Sequence, residues 1–62
     1  MIGEKFKNIR LLHGLTQTEF GKRLGISTPF VSDIERNRSL PTYPLLKKLI
    51  AEFKVDPKWL LE

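Results

Sequence analysis

The sequence predicts an all-α protein, a compact bundle of five helices with no strand. Apolar residues recur at helical spacing, as at Ile2, Phe6 and Ile9, and do not alternate as they would in a half-buried strand. Helix-start signals, an N-cap residue followed by Pro or Glu in the first turn, occur at Thr16, Ser27, Thr42 and Asp56. Residues that tolerate a left-handed backbone stand where the first three helices should end, at Gly14, Gly25 and Asn37.

Length and composition set limits on the chain. Its 62 residues suffice for a single domain, 1–62, which buries only ~60% of the surface that the unfolded chain exposes. There is no cysteine, and no apolar run approaches the ~18 residues of a membrane span. The N-terminus becomes charged at once, so no signal-peptide core is expected. We therefore expect a cytoplasmic protein whose net charge of +4 favours contact with polyanions.

The segment 17–36 organises the chain. It reads as two short helices, about 17–24 and 28–36, joined by a tight turn at Gly25. Thr16 and Glu19 have the spacing of a capping box, which marks the first start. Ser27 is a natural N-cap for the second helix, where Pro29 lies in the first turn and costs no hydrogen bond. Two helices meeting through so short a turn form a helix-turn-helix unit.

The motifs of this segment resemble those of the Cro and phage-repressor (XRE) family of bacterial and phage regulators. The residues that carry the resemblance are Leu15-Thr16-Gln17, Phe20-Gly21, Leu24-Gly25-Ile26-Ser27 and Val31-Ser32-Asp33-Ile34-Glu35. The resemblance runs from about residue 6 to the end of the chain. It implies a lambda-repressor-like DNA-binding domain and a sequence-specific transcriptional regulator, a repressor that reads a palindromic operator as a homodimer on double-stranded DNA.

Arg10 and Glu35 are expected to form a structural ion pair. Each lies on the inward side of its helix, and a buried charge without a partner is costly. The resemblance implies the same pair, because related proteins carry arginine and glutamate at the matching positions. The alternative, Arg10 as a phosphate contact, is less favoured.

The second helix of the unit should present its outer side to DNA. In helix-turn-helix proteins this helix enters the major groove, which is ~12 Å wide, with its N-terminal residues at the base edges. The candidate base contacts are Thr28, Pro29, Ser32 and Asp33. Thr28 offers a hydroxyl and a methyl group, and Asp33 can accept from cytosine N4. Asp33 has an alternative reading as a solvated acid or a partner of Arg36, and Phe30 is expected to pack rather than meet a thymine methyl.

The resemblance carries over positions but no base preference, since the best-known phage repressors have glutamines near this helix start. It also implies that Gln17 contacts a phosphate and braces the recognition helix. The other candidate phosphate contacts stand at the far end of that helix and in the next loop, at Arg36, Asn37 and Arg38. Leu40 is expected to anchor this loop in the core.

A possible dimer surface lies in the C-terminal part of the chain. Tyr43, Trp59, Leu60 and Leu61 offer more apolar area than a small core obviously needs. An equally supported alternative is that Trp59 and Leu60 simply close the core.

No group of residues indicates chemistry. The chain has no nucleophile with its base, no phosphate-cradling glycine loop and no metal-ligand spacing, so we expect no enzyme, no cofactor and no small-molecule ligand. A rival function is a protein-interaction module of the same fold that bridges transcription components. Prophage repressor, restriction–modification controller and antitoxin are sub-roles that the sequence does not separate.

Overall fold

The protein is five α-helices without a strand, as the sequence predicts. The computed structural model describes all 62 residues, and the helices in chain order are α1 Ile2–Leu12, α2 Gln17–Leu24, α3 Thr28–Glu35, α4 Tyr43–Phe53 and α5 Pro57–Leu61. The boundaries agree with the sequence to within one residue for α2 and α3, because Arg36 is the C-cap of α3 and not its last residue. None of the helices combines the length and apolar character that crossing a membrane requires.

Side-chain caps fix the start of α2 and of α3. The Thr16 hydroxyl accepts from the Glu19 N–H at 3.1 Å, and the Glu19 carboxylate accepts from the Thr16 N–H at 2.8 Å. These two bonds are the predicted capping box. Ser27 caps α3 by accepting from the Phe30 N–H at 3.2 Å, and Pro29 lies in the first turn as expected.

Two glycines allow α2 and α3 to meet closely. Gly25 ends α2 with a φ of 74°, a left-handed conformation in which glycine is not strained. A Cβ atom at Gly21 would stand 2.7 Å from the backbone oxygen of Ile26, so only glycine permits this approach of the turn to α2. The chain therefore reverses within Gly25 to Ser27, and the N-terminus of α3 comes to lie beside α2.

One apolar core holds the helices together. Its ten buried residues come from all five helices: Phe6, Ile9, Phe20, Leu24, Val31, Ile34, Leu45, Leu49, Phe53 and Leu60. Phe20 lies at the centre of an aromatic cluster, with ring centroids 4.9 Å from Phe6 and 5.1 Å from Phe53. Val31 and Ile34 are completely buried, so the inner side of α3 is fixed in the core while its outer side is left facing away.

Two expectations about apolar residues need correction. Leu60 is only 1% exposed because it closes the core beneath α5, so it could add almost no area to a dimer surface. Leu40 does not anchor its loop, because its side chain is 78% exposed. Phe30 is partly buried against the core, in agreement with the packing role expected for it.

Candidate nucleic-acid interface

The outer side of α3 carries the four candidate base contacts. Pro29 is exposed, while Thr28, Ser32 and Asp33 are partly exposed at positions away from the core. The Asp33 carboxylate forms no ion pair, so the alternative pairing with Arg36 is not present. This side of the helix therefore offers hydroxyl groups, a carboxylate and an apolar ring.

The N-termini of α2 and α3 lie side by side. The Thr28 hydroxyl at the first position of α3 and the Thr18 hydroxyl in the first turn of α2 are hydrogen-bonded, with 3.2 Å between the oxygens. Helix N-termini carry free N–H groups and a partial positive charge, which favour anions. A phosphate group beside α2 and a base edge beside α3 would thus meet neighbouring parts of one surface.

A cluster of hydrogen-bonded polar side chains holds the inner side of α3. Glu35 accepts from Arg10 Nε at 2.7 Å, from Arg10 Nη2 at 3.2 Å and from Gln17 Nε2 at 3.1 Å. Arg10 also donates to the Leu15 carbonyl oxygen at 2.9 Å. The side chains of Arg10 and Glu35 are only 11% and 4% exposed. The predicted ion pair between Arg10 and Glu35 is therefore present. Together with the bond from Gln17, it links α1, α2 and α3.

Gln17 hydrogen-bonds to Glu35, a partner that the sequence did not identify. The resemblance implied that it braces the recognition helix, and the structure identifies Glu35 as the residue it bonds. That bond uses the amide nitrogen of Gln17, so one of its two N–H groups and its amide oxygen remain for an outside partner.

Asn37 links the end of α3 to the start of α1. Its backbone has a φ of 60°, as expected for a residue that ends a helix, and its Oδ1 accepts from the Gly3 N–H at 3.0 Å. A Cβ atom at Gly3 would lie 2.4 Å from the Ile34 carbonyl oxygen, so α1 and α3 touch through their backbones here. The flanking Arg36 and Arg38 are exposed and form no ion pair.

The predicted dimer patch is divided into two surfaces. Trp59 and Leu61 are two residues apart on α5 and so lie on different sides of that helix. Leu61 lines an apolar groove with Met1, Ile2, Leu40, Pro41, Leu46 and Leu60, bordered by Lys5 and Glu62. Trp59 lines a separate cleft with Asn8, Leu11 and Leu12. Tyr43 is 73% exposed and lines neither of the two surfaces.

Sequence reasoning missed Thr18 and the Asn37–Gly3 contact. Both depend on which helices become neighbours in the folded chain, and local patterns do not carry that information. A threonine two residues after an N-cap has no sequence signature of its own. Asn37 was assigned to a phosphate contact because it stands between Arg36 and Arg38 at the end of the recognition helix, and the sequence did not indicate that Gly3 lies beside it.

The geometry defines a helix-turn-helix protein of the DNA-binding type, since a braced α2–α3 pair presents a polar outer side and two adjacent helix N-termini. The chain belongs to the XRE-type helix-turn-helix family, and the family model described as "Helix-turn-helix" matches residues 6–60. This result confirms the resemblance seen in the sequence.

Three curated relatives are similar over most of this chain. The ImmF control region 10 kDa protein of Bacillus phage phi105 is 36% identical over 55 residues, which cover 89% of this chain and 61% of that protein. An uncharacterized HTH-type transcriptional regulator of Bacillus subtilis, YazB, is 38% identical over 45 residues, 73% of this chain and 65% of its own length. A propionyl-CoA carboxylase regulator of Cereibacter sphaeroides is 37% identical over 54 residues, 87% of this chain but 12% of that protein.

The chain thus spans less than two thirds of the length of each of these relatives. No solved structure matched it. Family membership places the chain among helix-turn-helix domains of DNA-binding transcriptional regulators.

Proposed function

We propose that residues 1–62 form a single non-enzymatic domain that represses transcription by reading a specific operator in the cytoplasm, without a cofactor or small-molecule ligand. In this proposal α3 lies in the major groove with Thr28, Pro29, Ser32 and Asp33 at the base edges. The observation that carries it is the outer side of α3, where the Asp33 carboxylate has no ion partner although Glu35, on the inner side of the same helix, has three donors.

Phosphate contacts would come from both ends of this surface. Gln17 stands at the first position of α2, where free backbone N–H groups add to its side-chain donor. Arg36 and Arg38 are exposed beyond α3 and carry the charge that neutralises phosphates. Asn37 would contribute through its amide nitrogen, because its amide oxygen already accepts from Gly3. Such contacts set affinity and register, while the α3 side chains set specificity.

The apolar groove is the surface we propose for a homodimer. It includes Leu40 and Pro41 of the loop that follows α3, so a two-fold contact through the groove would join the two copies close to the ends of their recognition helices. Met1, Leu40 and Leu61 are 79%, 78% and 64% exposed and would bury apolar area in such a contact. Two half-sites ~34 Å apart, arranged as a palindrome, would follow from that symmetry.

Repression is the direction of control that we infer. A protein that occupies an operator excludes other proteins from the same stretch of DNA. The phage relative is named for a control region, which supports a role in controlling phage or prophage genes. The restriction–modification and antitoxin roles remain sub-roles of the same DNA-binding activity.

A gel-shift selection from pooled random duplexes at two salt concentrations tests the function. The expected result is a palindromic site that is retained at both concentrations, with two half-sites about one helical turn apart. The variants Asp33→Ala and Lys58→Ala provide a matched pair, because Lys58 is an exposed residue of α5 outside the proposed interface. Asp33→Ala should change the selected site, while Lys58→Ala should select the same site as the parent.

Retention only at low salt, with no enriched sequence, would contradict this function. That outcome would favour the bridging module, for which the separate cleft at Leu11, Leu12 and Trp59 offers an exposed apolar surface.

A further inference from the structure

We infer that Thr18 is a positioning residue that decides which bases the neighbouring Thr28 accepts. The inference rests on the proposed function and deepens it, since it concerns the chemistry of the base edge that α3 reads. Thr28 Oγ1 and Thr18 Oγ1 are hydrogen-bonded across 3.2 Å, and both residues lie in the first turns of their helices. Thr18 is exposed and makes no other side-chain hydrogen bond.

The Thr18–Thr28 bond changes what Thr28 can offer to DNA. A free threonine hydroxyl is both donor and acceptor, so it tolerates any base edge. Once the proton of Thr28 is directed to Thr18, only oxygen lone pairs remain for an outside partner. Thr28 then behaves as an acceptor toward the groove.

Bound DNA would fix the direction of this bond. The hydroxyl proton of Thr18 is then free to form a second hydrogen bond. In the proposed complex a DNA phosphate lies beside the N-terminal end of α2, and a phosphate oxygen can only accept. Two successive hydrogen bonds, in which Thr28 donates to Thr18 and Thr18 donates to the phosphate, therefore satisfy all three groups. The free bond is longer than the ~2.8 Å typical of hydroxyl pairs, and a charged acceptor at its end would shorten and strengthen it.

The result is a recognition surface with two acceptors. Asp33 is an acceptor whenever its carboxylate is ionised, and Thr28 becomes one through Thr18. In the major groove, adenine N6 and cytosine N4 are the donors, whereas guanine O6, guanine N7 and thymine O4 are acceptors. The base facing Thr28 should thus be adenine or cytosine, and guanine or thymine should be rejected there.

Removing the Thr18 hydroxyl should relax this one preference. Thr18→Val keeps the shape of the side chain but cannot accept, so Thr28 regains a free proton and can donate to guanine or thymine. Thr18→Ser keeps the hydroxyl and is the matched control. Thr18 lies outside the Thr16–Glu19 capping box, so the start of α2 is retained in both variants. Thr18→Ala, a better helix former, gives the same readout if valine disturbs α2.

The experiment is the random-duplex selection followed by competition between sites that differ only at the base facing Thr28. Discrimination by the parent protein and by Thr18→Ser should be equal, and Thr18→Val should lose about fivefold of it, the ratio that one neutral hydrogen bond controls. Thr28→Val should lose the same preference. Melting curves confirm that each variant is folded.

Three results would overturn the inference. Unchanged discrimination in Thr18→Val and Thr18→Ala would show that Thr28 does not depend on Thr18. A uniform loss of affinity with the preference intact would make Thr18 a phosphate contact only. If the parent protein itself selects no site, the proposed function fails first, and the inference fails with it.

Discussion

The two sides of α3 are built in opposite ways. On the inner side, Val31 and Ile34 are fully buried and Glu35 receives three hydrogen bonds from two neighbouring side chains. No buried side-chain nitrogen or oxygen in the chain lacks a partner. On the outer side, Ser32 and Asp33 are partly exposed, and Asp33 has no ion partner. One helix of eight residues thus has its stabilising contacts on one side and leaves its other side for the DNA contacts that we propose.

The inner side should dominate stability, and Glu35→Ala should have the largest effect. It leaves the Arg10 guanidinium buried without its carboxylate, and breaking such a pair costs about 3–5 kcal/mol. Thermal unfolding followed by circular dichroism measures the loss. The double variant Arg10→Met with Glu35→Leu should be less destabilised than Glu35→Ala, because no charge is left unpaired.

The single variant Arg10→Met tests whether Arg10 contributes to stability or to DNA binding. It should lower the melting temperature while leaving DNA affinity per folded molecule nearly unchanged. A large loss of affinity without a change in melting would show that Arg10 belongs to the DNA-binding surface and not to the inner cluster.

Gly3→Ala should cause the next largest loss of stability, because it disrupts the close contact between α1 and the end of α3. Its Cβ atom would meet the Ile34 carbonyl oxygen and Asn37 Oδ1 at 2.4 and 2.6 Å. Overpacking of this kind costs roughly 1–3 kcal/mol. Gly14→Ala is the control for backbone strain without overpacking, because Gly14 has a φ of 66° and no neighbouring atom within 4 Å. Denaturant unfolding measures the free energy of unfolding of both variants, and the loss should be larger in Gly3→Ala.

Arg38→Ala tests the far end of the interface and should leave stability within about 0.5 kcal/mol of the parent. Affinity should fall alike for all DNA sequences, and the slope of log affinity against log salt should flatten by about one charge. Fluorescence anisotropy over a salt series provides the slope. An unchanged slope would remove Arg38 from the phosphate contacts.

The smallest predicted effect concerns the cap of α2. Hydrogen bonds from Thr16, first through its backbone N–H and then through its side chain, hold the pKa of Glu19 below its usual value of 4.5. A carboxyl group with a lowered pKa in the folded state stabilises the protein above its unfolded pKa, and this contribution is lost as the pH falls through the folded pKa. Melting between about pH 6 and about pH 3 should therefore fall less in Glu19→Gln than in the parent.

Local signals predicted the helices well because their physical causes are local. The capping box at Thr16, the N-cap at Ser27 and the left-handed Asn37 each depend on residues within one turn, and each is present. The Arg10–Glu35 pair could be predicted across 25 residues because two inward charges on adjacent helices have few other solutions.

Surface assignments were harder, because they depend on how the helices are arranged around one another. Leu40 was expected to anchor the loop after α3, yet its side chain is mostly exposed. Trp59, Leu60 and Leu61 form one apolar run in the sequence, but α5 distributes them over a cleft, the core and the groove. The complete operator sequence depends on how α3 lies in the groove, which local patterns in the sequence do not specify.

Backbone amide chemical shifts during titration with the selected duplex test whether the outer side of α3 contacts base edges. The largest shifts are expected at Gln17, Thr18, Thr28, Ser32 and Asp33, with only the small shifts of dimer formation in α5. Largest shifts in the cleft at Leu11, Leu12 and Trp59, with the α3 amides unmoved, would contradict the proposed contact.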